Sequence, residues 1–348
     1  MAGLAEIAAA ERVVVLEHRK SRVPATPGFE RRRLWTPPHH RLEGLTLPAE
    51  LLPARLDLLH APDMVLPVAW RGAAVVTVHD LAFLRRPELL TAESRRYYAG
   101  VQHSVRRAQR VIAVSEHTRR ELLALTRVDP GRLRVIPNPV HPRFREAGDP
   151  AADAALAARL GLTRPFILFV STIEPRKNIV TLLEAYRGLL DQGRELDLAL
   201  AGAEGWLSEP VHRAARSLGL EGRARFLGFV PDGDLAALYR QARLLAHPAV
   251  DEGFGLTPAE AMAAGTPVVV AEAGSLPELV GDAGLRVAAT EAGAWTAALA
   301  RLLDDPRLAA ELGARGRSRV SDLTPVRVAE ATLAVYREAL AESLGHAA

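Results

Sequence analysis

The chain has 348 residues, of which 49% are hydrophobic and 24% charged, a composition typical of a soluble enzyme with about two domains. It contains no cysteine, which excludes disulfide bonds and thiolate chemistry and is typical of a reducing compartment. No apolar run approaches the ~18 residues that span a bilayer, and the first residues carry Glu6 without a basic leader. These features predict a cytoplasmic protein.

Charge is distributed unevenly along the chain. Residues 1–150 contain 24 Lys and Arg against 16 Asp and Glu, whereas the remainder contains 20 against 25. The basic half predicts contact with an anionic acceptor or, for a peripheral protein, with the inner face of a membrane. A solvated arginine-rich surface is the alternative. No aromatic-interleaved basic patch occurs in the sequence, so no nucleic-acid partner is expected.

The first half alternates short apolar segments with loops and with a helical stretch at about 91–109. The predicted buried strands are 13–16, 56–60, 73–78, 111–114 and 133–136. Residues 144–164 are rich in Ala, Asp and Gly and predict a linker with a short helix.

The second half repeats the same order of strand, loop and helix. Its predicted strands are 166–170, 196–201, 224–227, 243–247 and 267–271, and its predicted helices are 178–190, 209–218, 234–242, one after Thr257, 292–303 and 325–343. This alternation predicts an α/β fold with two Rossmann-like domains facing each other across a cleft. Ligands of such domains bind at the carboxyl ends of the strands.

The strongest functional signal is the segment 251–270, a loop that runs into a helix start. Glu252 and Glu260 flank the Gly-Phe-Gly loop at 253–255. Free backbone N–H groups and the positive end of a helix dipole suit a phosphate, and carboxylates accept hydrogen bonds from sugar hydroxyls. The alternative is a capping box, with Thr257 as the N-cap and Glu260 reaching back to it.

Two further residues follow predicted strands at their carboxyl ends. Lys177 is one of only two lysines in the chain, and with Arg176 it could neutralise a diphosphate leaving group. His79 could serve as a hydrogen-bond partner or base. The alternatives are a solvated basic turn for Lys177 and a structural role for His79. The triplet at 232–234 resembles a metal-binding motif, but its place before a helix favours capping, and no His/Cys spacing indicates zinc.

Several segments are together similar to one family. The Glu-x7-Glu pattern continues into AMAAGTPVV, and the other similar segments are 275–284, EPRKN at 174–178, 227–235, 75–83 and 111–140. They resemble the family 4 glycosyltransferases, retaining enzymes of the GT-B fold, and in particular a mannosyltransferase-like branch. The resemblance covers about residues 55–345.

The resemblance implies a role for each matching position. Glu252 would contact the transferred sugar, Glu260 the ribose, Val230 the base and Lys177 the diphosphate, and His79 would project toward the sugar. Retention by front-face attack needs no enzymic nucleophile, cofactor or divalent metal. The implied catalytic residues are His79, Glu252 and Lys177, and the implied donor-binding residues are Thr172, Arg176, Lys177, Val230, Gly253, Phe254, Gly255, Leu256 and Glu260.

The implied organisation is an acceptor-side domain at 1–150, a nucleotide-sugar domain at 151–325 and a helix at 326–348 that crosses back. Two positions depart from the family pattern. Thr172 stands where many relatives carry arginine, a role that Arg176 could take. The chain opens with a helix-like segment, so we expect the first domain to lack its first strand and glycine-rich loop.

Three functions remain open from the sequence. The main hypothesis is a hexosyltransferase that uses a GDP- or UDP-linked donor, such as GDP-mannose, and a glycan or lipid-linked acceptor. The second is a non-catalytic GT-B protein that binds a nucleotide sugar or a partner transferase, because of the expected missing loop. The third is a glycoside hydrolase with Glu252 and Glu260 as its carboxylates.

Overall fold

The computed structural model describes residues 2–7, 11–21, 27–37, 43–85 and 97–345. The chain forms two compact units. The first comprises Met1–Pro139 together with Leu323–Ala348, and the second comprises Val140–Asp322. The sequence places the domain boundaries at residues 150 and 325, and the assignment of a role to each domain stays a prediction.

The strands that the structure describes in the first unit form two parallel sheets. Strands β1 (Val14–His18) and β2 (Glu30–Leu34) form one, and the other has the order β3-β4-β5-β6. The four strands of the larger sheet are β3 (Leu58–Ala61), β4 (Ala73–Val78), β5 (Arg110–Ala113) and β6 (Leu133–Val135). Among the described residues before 139, the α-helices are α1 (Ala2–Ile7), α2 (Glu43–Leu51), α3 (Ala82–Arg85), α4 (Val101–Arg107) and α5 (Glu116–Leu125).

The predicted strands of the first half all occur within a few residues of their expected positions. Strand β2 was not predicted, because three arginines in five residues hide the apolar alternation that marks a strand. The predicted helix at 91–109 is observed as α4, and its first residues, up to 96, lie outside the described part of the chain. The expected lack of a first strand in this domain stays a prediction.

The second unit contains one six-stranded sheet, all parallel, with the order β12-β11-β10-β7-β8-β9. Its strands are β7 (Phe166–Val170), β8 (Asp197–Ala201), β9 (Ala224–Gly228), β10 (Leu244–His247), β11 (Val268–Ala271) and β12 (Leu285–Val287), and its helices are α6 (Pro150–Arg159), α7 (Ile179–Asp191), α8 (Glu209–Ser217), α9 (Asp232–Gln241), α10 (Leu256–Ala264), α11 (Leu276–Val280), α12 (Ala292–Asp304) and α13 (Pro306–Arg319). The sheet is buried because its strands are almost wholly apolar and helices cover them.

The strand order reverses beside β7. From β7 the chain adds β8 and β9 on one side and then crosses to place β10 on the other side. The segments that leave β7 and β10 therefore diverge from adjacent strands at the carboxyl edge of the sheet. In open parallel sheets this topological switch point is where ligands bind.

The last helix, α14 (Pro325–Gly345), belongs to the first unit. It covers one face of the larger sheet, where Val335 and Ala339 pack with Val75, Ile112 and Ile136. None of the helices within the described ranges is long and apolar enough to cross a membrane.

Candidate functional site

The two segments at the switch point of the second unit are tied together by backbone hydrogen bonds. After β7 the chain makes a 3₁₀ turn at Pro175–Lys177. The Val250 N–H donates to the Arg176 carbonyl at 3.0 Å, and the Asn178 side-chain amide donates to the Pro248 carbonyl at 3.3 Å. Because both loops are fixed in this way, the side chains that they carry have defined positions.

Lys177 and Glu252 form a buried ion pair between these loops. The Lys177 Nζ lies 2.7 Å from the Glu252 Oε2, and only 6% of Lys177 is exposed. Burial alone would raise the pKa of Glu252, but the hydrogen bond from His247 and the charge of Lys177 outweigh it and hold that pKa well below its ordinary value. Glu252 is therefore a carboxylate at neutral pH.

His247, the last residue of β10, is the third member of this cluster. Its Nε2 lies 3.2 Å from the Glu252 Oε2, its Nδ1 lies 3.4 Å from the Thr257 Oγ1, and its ring is parallel to that of Phe169. Burial lowers the pKa of His247, so the ring is neutral and donates through Nε2 to the carboxylate. Sequence reasoning missed it; the only signal was a polar residue ending an apolar strand.

The Gly-Phe-Gly loop ends at the N-terminus of α10. Gly255 is the N-cap, with φ +95° and no capping side chain, and a Cβ there would lie 2.9 Å from Leu276 and Leu279. The capping-box alternative is wrong, because α10 begins before Thr257, whose hydroxyl faces His247. A first helical turn has no internal acceptors for its N–H groups. The amides of Leu256 and Thr257 are therefore available to an anion.

The backbone of Glu252 is held from its other side by the start of α11. The Ser275 N–H and hydroxyl both donate to the Glu252 carbonyl, at 2.9 Å and 3.0 Å. Gly274 has φ +59°, and a Cβ there would lie 2.5 Å from that carbonyl oxygen. The loop can only sit this close because residue 274 is glycine.

Glu260, one turn into α10, is buried, and among the described residues its one side-chain hydrogen-bond partner is Tyr239. The Tyr239 hydroxyl donates to its Oε2 at 2.9 Å. Burial raises the pKa of Glu260 to about 7, the Tyr239 hydrogen bond opposes the rise, and the charge of Asp232 adds to it. This carboxyl group therefore changes charge near neutral pH.

The remaining predicted donor residues lie along the same sheet edge. Arg176 donates to Glu174 at 3.2 Å and to the Asp251 carbonyl at 3.4 Å. Thr172 and Val230 follow the carboxyl ends of β7 and β9. Within the loop itself, Gly253 and Phe254 are buried and Leu256 is exposed.

His79 lies in the other unit, directly after β4, as the sequence predicts. Its Nε2 is 3.0 Å from the Pro62 carbonyl, so this nitrogen carries the proton and Nδ1 is left as an acceptor. Its catalytic role stays a prediction.

The acidic triplet at 232–234 opens α9, and its first residue is helical rather than a cap. Asp232 and Asp234 face Arg143 and Arg159 at 3.7 Å and 4.0 Å. Across the described ranges, no cluster of three or more His, Asp or Glu side chains could hold a metal ion.

The site thus combines a buried ammonium, a carboxylate and the open N-terminus of a helix, at the switch point of a Rossmann-like sheet. The two units define an α/β class of protein with parallel, Rossmann-like sheets, and comparisons with known proteins narrow this class to a family. Residues 157–319 match the model for glycosyl transferases group 1, and residues 6–144 match the model for glycosyltransferase family 4. The chain belongs to this glycosyltransferase family.

Two relatives illustrate the similarity. O-antigen chain mannosyltransferase B of Escherichia coli is 32% identical over 288 residues, covering 80% of this chain and 74% of the relative. The D-inositol 3-phosphate glycosyltransferase of Nocardia farcinica is 30% identical over 356 residues, covering 92% and 78%.

Solved structures establish the GT-B fold. Sucrose-phosphate synthase from Thermosynechococcus elongatus has a TM-score of 0.81 at 24% identity, and the match covers 98% of this chain and 92% of the synthase chain. HepE from Anabaena, solved with UDP and glucose, has a TM-score of 0.75 at 22% identity and covers 89% and 86%.

Proposed function

We propose that this glycosyltransferase moves a hexose, with retention of configuration, from a nucleoside diphosphate sugar to a glycan or lipid-linked acceptor. The observation that carries the proposal is the buried Lys177–Glu252–His247 cluster beside the open N-terminus of α10. An ammonium and a carboxylate held together beside a helix N-terminus suit a ligand with both phosphate and hydroxyl groups.

The leaving diphosphate is the group that needs stabilisation. Its charge grows as the glycosidic bond breaks, and Lys177, Arg176 and the amides of the 253–256 loop supply fixed positive charge and dipoles for it. These groups take the part that a metal plays in other transferases, so we propose that catalysis needs no divalent metal and no cofactor. No enzymic nucleophile is needed either, and orientation of the acceptor contributes the remaining acceleration.

The two glutamates have different tasks in this proposal. Glu252 is ionised, and among the described residues its Oε1 has no hydrogen-bond partner, so it can accept from hydroxyls of the transferred sugar. Glu260 accepts from the ribose. Thr172 lines the donor site, Val230 lies against the base, and His79 accepts a hydrogen bond from the sugar through Nδ1.

The relatives and the charge distribution support a choice of donor and a location. One relative is named a mannosyltransferase, which supports a mannosyl donor such as GDP-mannose, and HepE binds UDP and glucose, which supports a UDP-hexose as the other choice. We propose a bacterial role in polysaccharide biosynthesis on the cytoplasmic side of the membrane, with the basic N-terminal half as the membrane contact.

Single substitutions at the ion pair test the proposal. Lys177→Ala removes the cation that faces the leaving group, and Glu252→Gln removes the charge of the sugar contact. Each is expected to lower kcat by at least 10²-fold on a panel of GDP- and UDP-sugars, the loss typical of one transition-state contact. Arg213→Ala, which removes an exposed cation of the second unit outside the site, is the control.

Three outcomes would contradict the proposal. Unchanged turnover in both variants would remove the assigned roles. Thermal stabilisation by a nucleotide without any transfer would favour a non-catalytic protein. Release of sugar from an aryl glycoside without a nucleotide would indicate a hydrolase, although an anion-binding loop between the carboxylates has no purpose there.

A further inference from the structure

The small sheet of the first unit presents an exposed aromatic side chain among cations. Trp35 directly follows β2 and is 68% exposed. The Arg19 guanidinium lies 3.9 Å from the centre of its ring, and Arg33 donates to the Arg19 carbonyl at 3.3 Å. Arg19, Lys20, Arg33 and Trp35, which are all exposed, are called the Trp35 surface below.

The backbone beneath this surface is firmly held. The N–H groups of Trp35 and Thr36 each donate to a different oxygen of Glu50, at 2.8 Å. Leu34 is buried in the core of the unit. The indole is therefore exposed on a fixed support.

The neighbouring carboxylates are engaged elsewhere. Glu17 pairs with Arg31, and Glu30 pairs with Arg12, while Glu50 is bonded to the backbone amides. Among the residues that the structure describes, no carboxylate pairs with Arg19, Lys20 or Arg33. The surface thus combines uncompensated positive charge with one amphipathic ring.

We propose that the Trp35 surface binds the headgroups of an anionic lipid bilayer. Phosphates attract the cations over about a Debye length, and tryptophan prefers the interface between headgroups and acyl chains. A glycan is the other occupant to consider, but sugars stack on an open ring face, and Arg19 covers one face of Trp35. This inference deepens the proposed function, because a lipid-linked acceptor would be met at the membrane.

Sedimentation with vesicles tests the surface directly. We expect the native protein to bind vesicles of phosphatidylcholine with phosphatidylglycerol but not those of phosphatidylcholine alone. The combined variant Arg19→Ala, Lys20→Ala and Arg33→Ala should lose about fivefold in partition per charge, on the order of a hundredfold in total. Trp35→Ala should lose severalfold at every phosphatidylglycerol content.

The matched controls lie in the second unit. Arg187→Ala with Arg213→Ala and Arg216→Ala makes the same change in net charge, and Trp206→Ala removes another partly exposed indole; both should bind vesicles like the native protein. Equal binding by the Trp35-surface variants and the controls would overturn the proposal. The proposal would also be overturned if the native protein bound both kinds of vesicle equally. Retention of the native protein on neutral glycans, lost in Trp35→Ala, would overturn it as well.

An activity assay separates this inference from the proposed function. With a water-soluble acceptor, the Trp35-surface variants should transfer sugar like the native protein, because none of these residues belongs to the donor site. Failure of the native protein to transfer, with vesicle binding intact, would count against the proposed function alone.

Discussion

Glu252 and Glu260 lie eight positions apart, yet the fold shifts the pKa values of their carboxyl groups in opposite directions. Two donors and two nearby cations surround Glu252 and lower its pKa, whereas Glu260 has one phenol and a nearby Asp232, so burial raises its pKa to about 7. The difference arises from the neighbours that the fold brings to each residue, and not from the local sequence.

The raised pKa of Glu260 makes stability depend on pH. Folding favours the protonated form, so this contribution is fully present below the ordinary value of 4.5 and is lost as the pH rises to about 7. Glu260→Gln mimics the neutral form and should be more stable than the native protein above about pH 7, by up to about 3 kcal/mol. Urea unfolding at about pH 5 and about pH 8 measures this difference. An equal change in the exposed control Glu221→Gln would contradict it.

His247 is a positioning residue for Glu252. His247→Phe keeps the ring beside Phe169 but removes the N–H donor, which is expected to lower kcat by about 10-fold to 100-fold with a smaller change in KM. His247→Gln places an amide donor near the same point and should recover part of the loss. Steady-state kinetics of both variants provide the measurement.

The control for His247 is another histidine paired with a glutamate. His212 lies 2.9 Å from Glu204 and its ring centre lies 4.4 Å from that of Phe226, outside the site. His212→Phe should leave kcat unchanged. If His247→Gln were as slow as His247→Phe while both stayed folded, the hydrogen bond would not be the reason for the loss.

At the scale of elements, periodicity predicted most strands because long apolar runs need burial in a parallel sheet. It missed β2, which contains three arginines and becomes a strand only through pairing with β1. It also missed β12 and α11, which have three and five residues, too few for a periodic pattern. Such elements form through tertiary contacts rather than local preference.

The loop at the site also depends on tertiary contacts that the sequence does not reveal. Glu252, Lys177 and the glycines could be predicted, because charge and glycine beside a helix start are local signals. The start of α10 could not, because Thr-Pro-Ala-Glu matches a capping box equally well. The positive φ of Gly255 and its contacts with Leu276 and Leu279 decide the start, and these contacts come from α11, which the sequence did not reveal.

At the scale of the whole molecule, the first unit depends on the last helix. Tyr336 on α14 lies with its hydroxyl 2.6 Å from the His60 Nδ1, and the His60 Nε2 lies 2.8 Å from the Thr77 Oγ1. Glu338 accepts from Arg110 and Arg134 at 2.8 Å and 2.6 Å. Residues of α14 therefore complete a core with β3, β4 and β5, through contacts of high sequence separation.

These contacts of α14 predict which strands lose stability when one hydroxyl group is removed. Tyr336→Phe leaves the half-buried His60 without one partner, a cost of about 1 kcal/mol, and hydrogen exchange should rise in β3 and β4. Tyr186→Phe is the corresponding variant in the second unit, because the Tyr186 hydroxyl donates to the Leu196 carbonyl at 2.7 Å. This substitution should raise hydrogen exchange in β8. Each substitution should act within its own unit, because each unit has its own buried sheet. If Tyr336→Phe raised exchange equally in β8, the two units would open as one cooperative body and their separate cores would not govern stability.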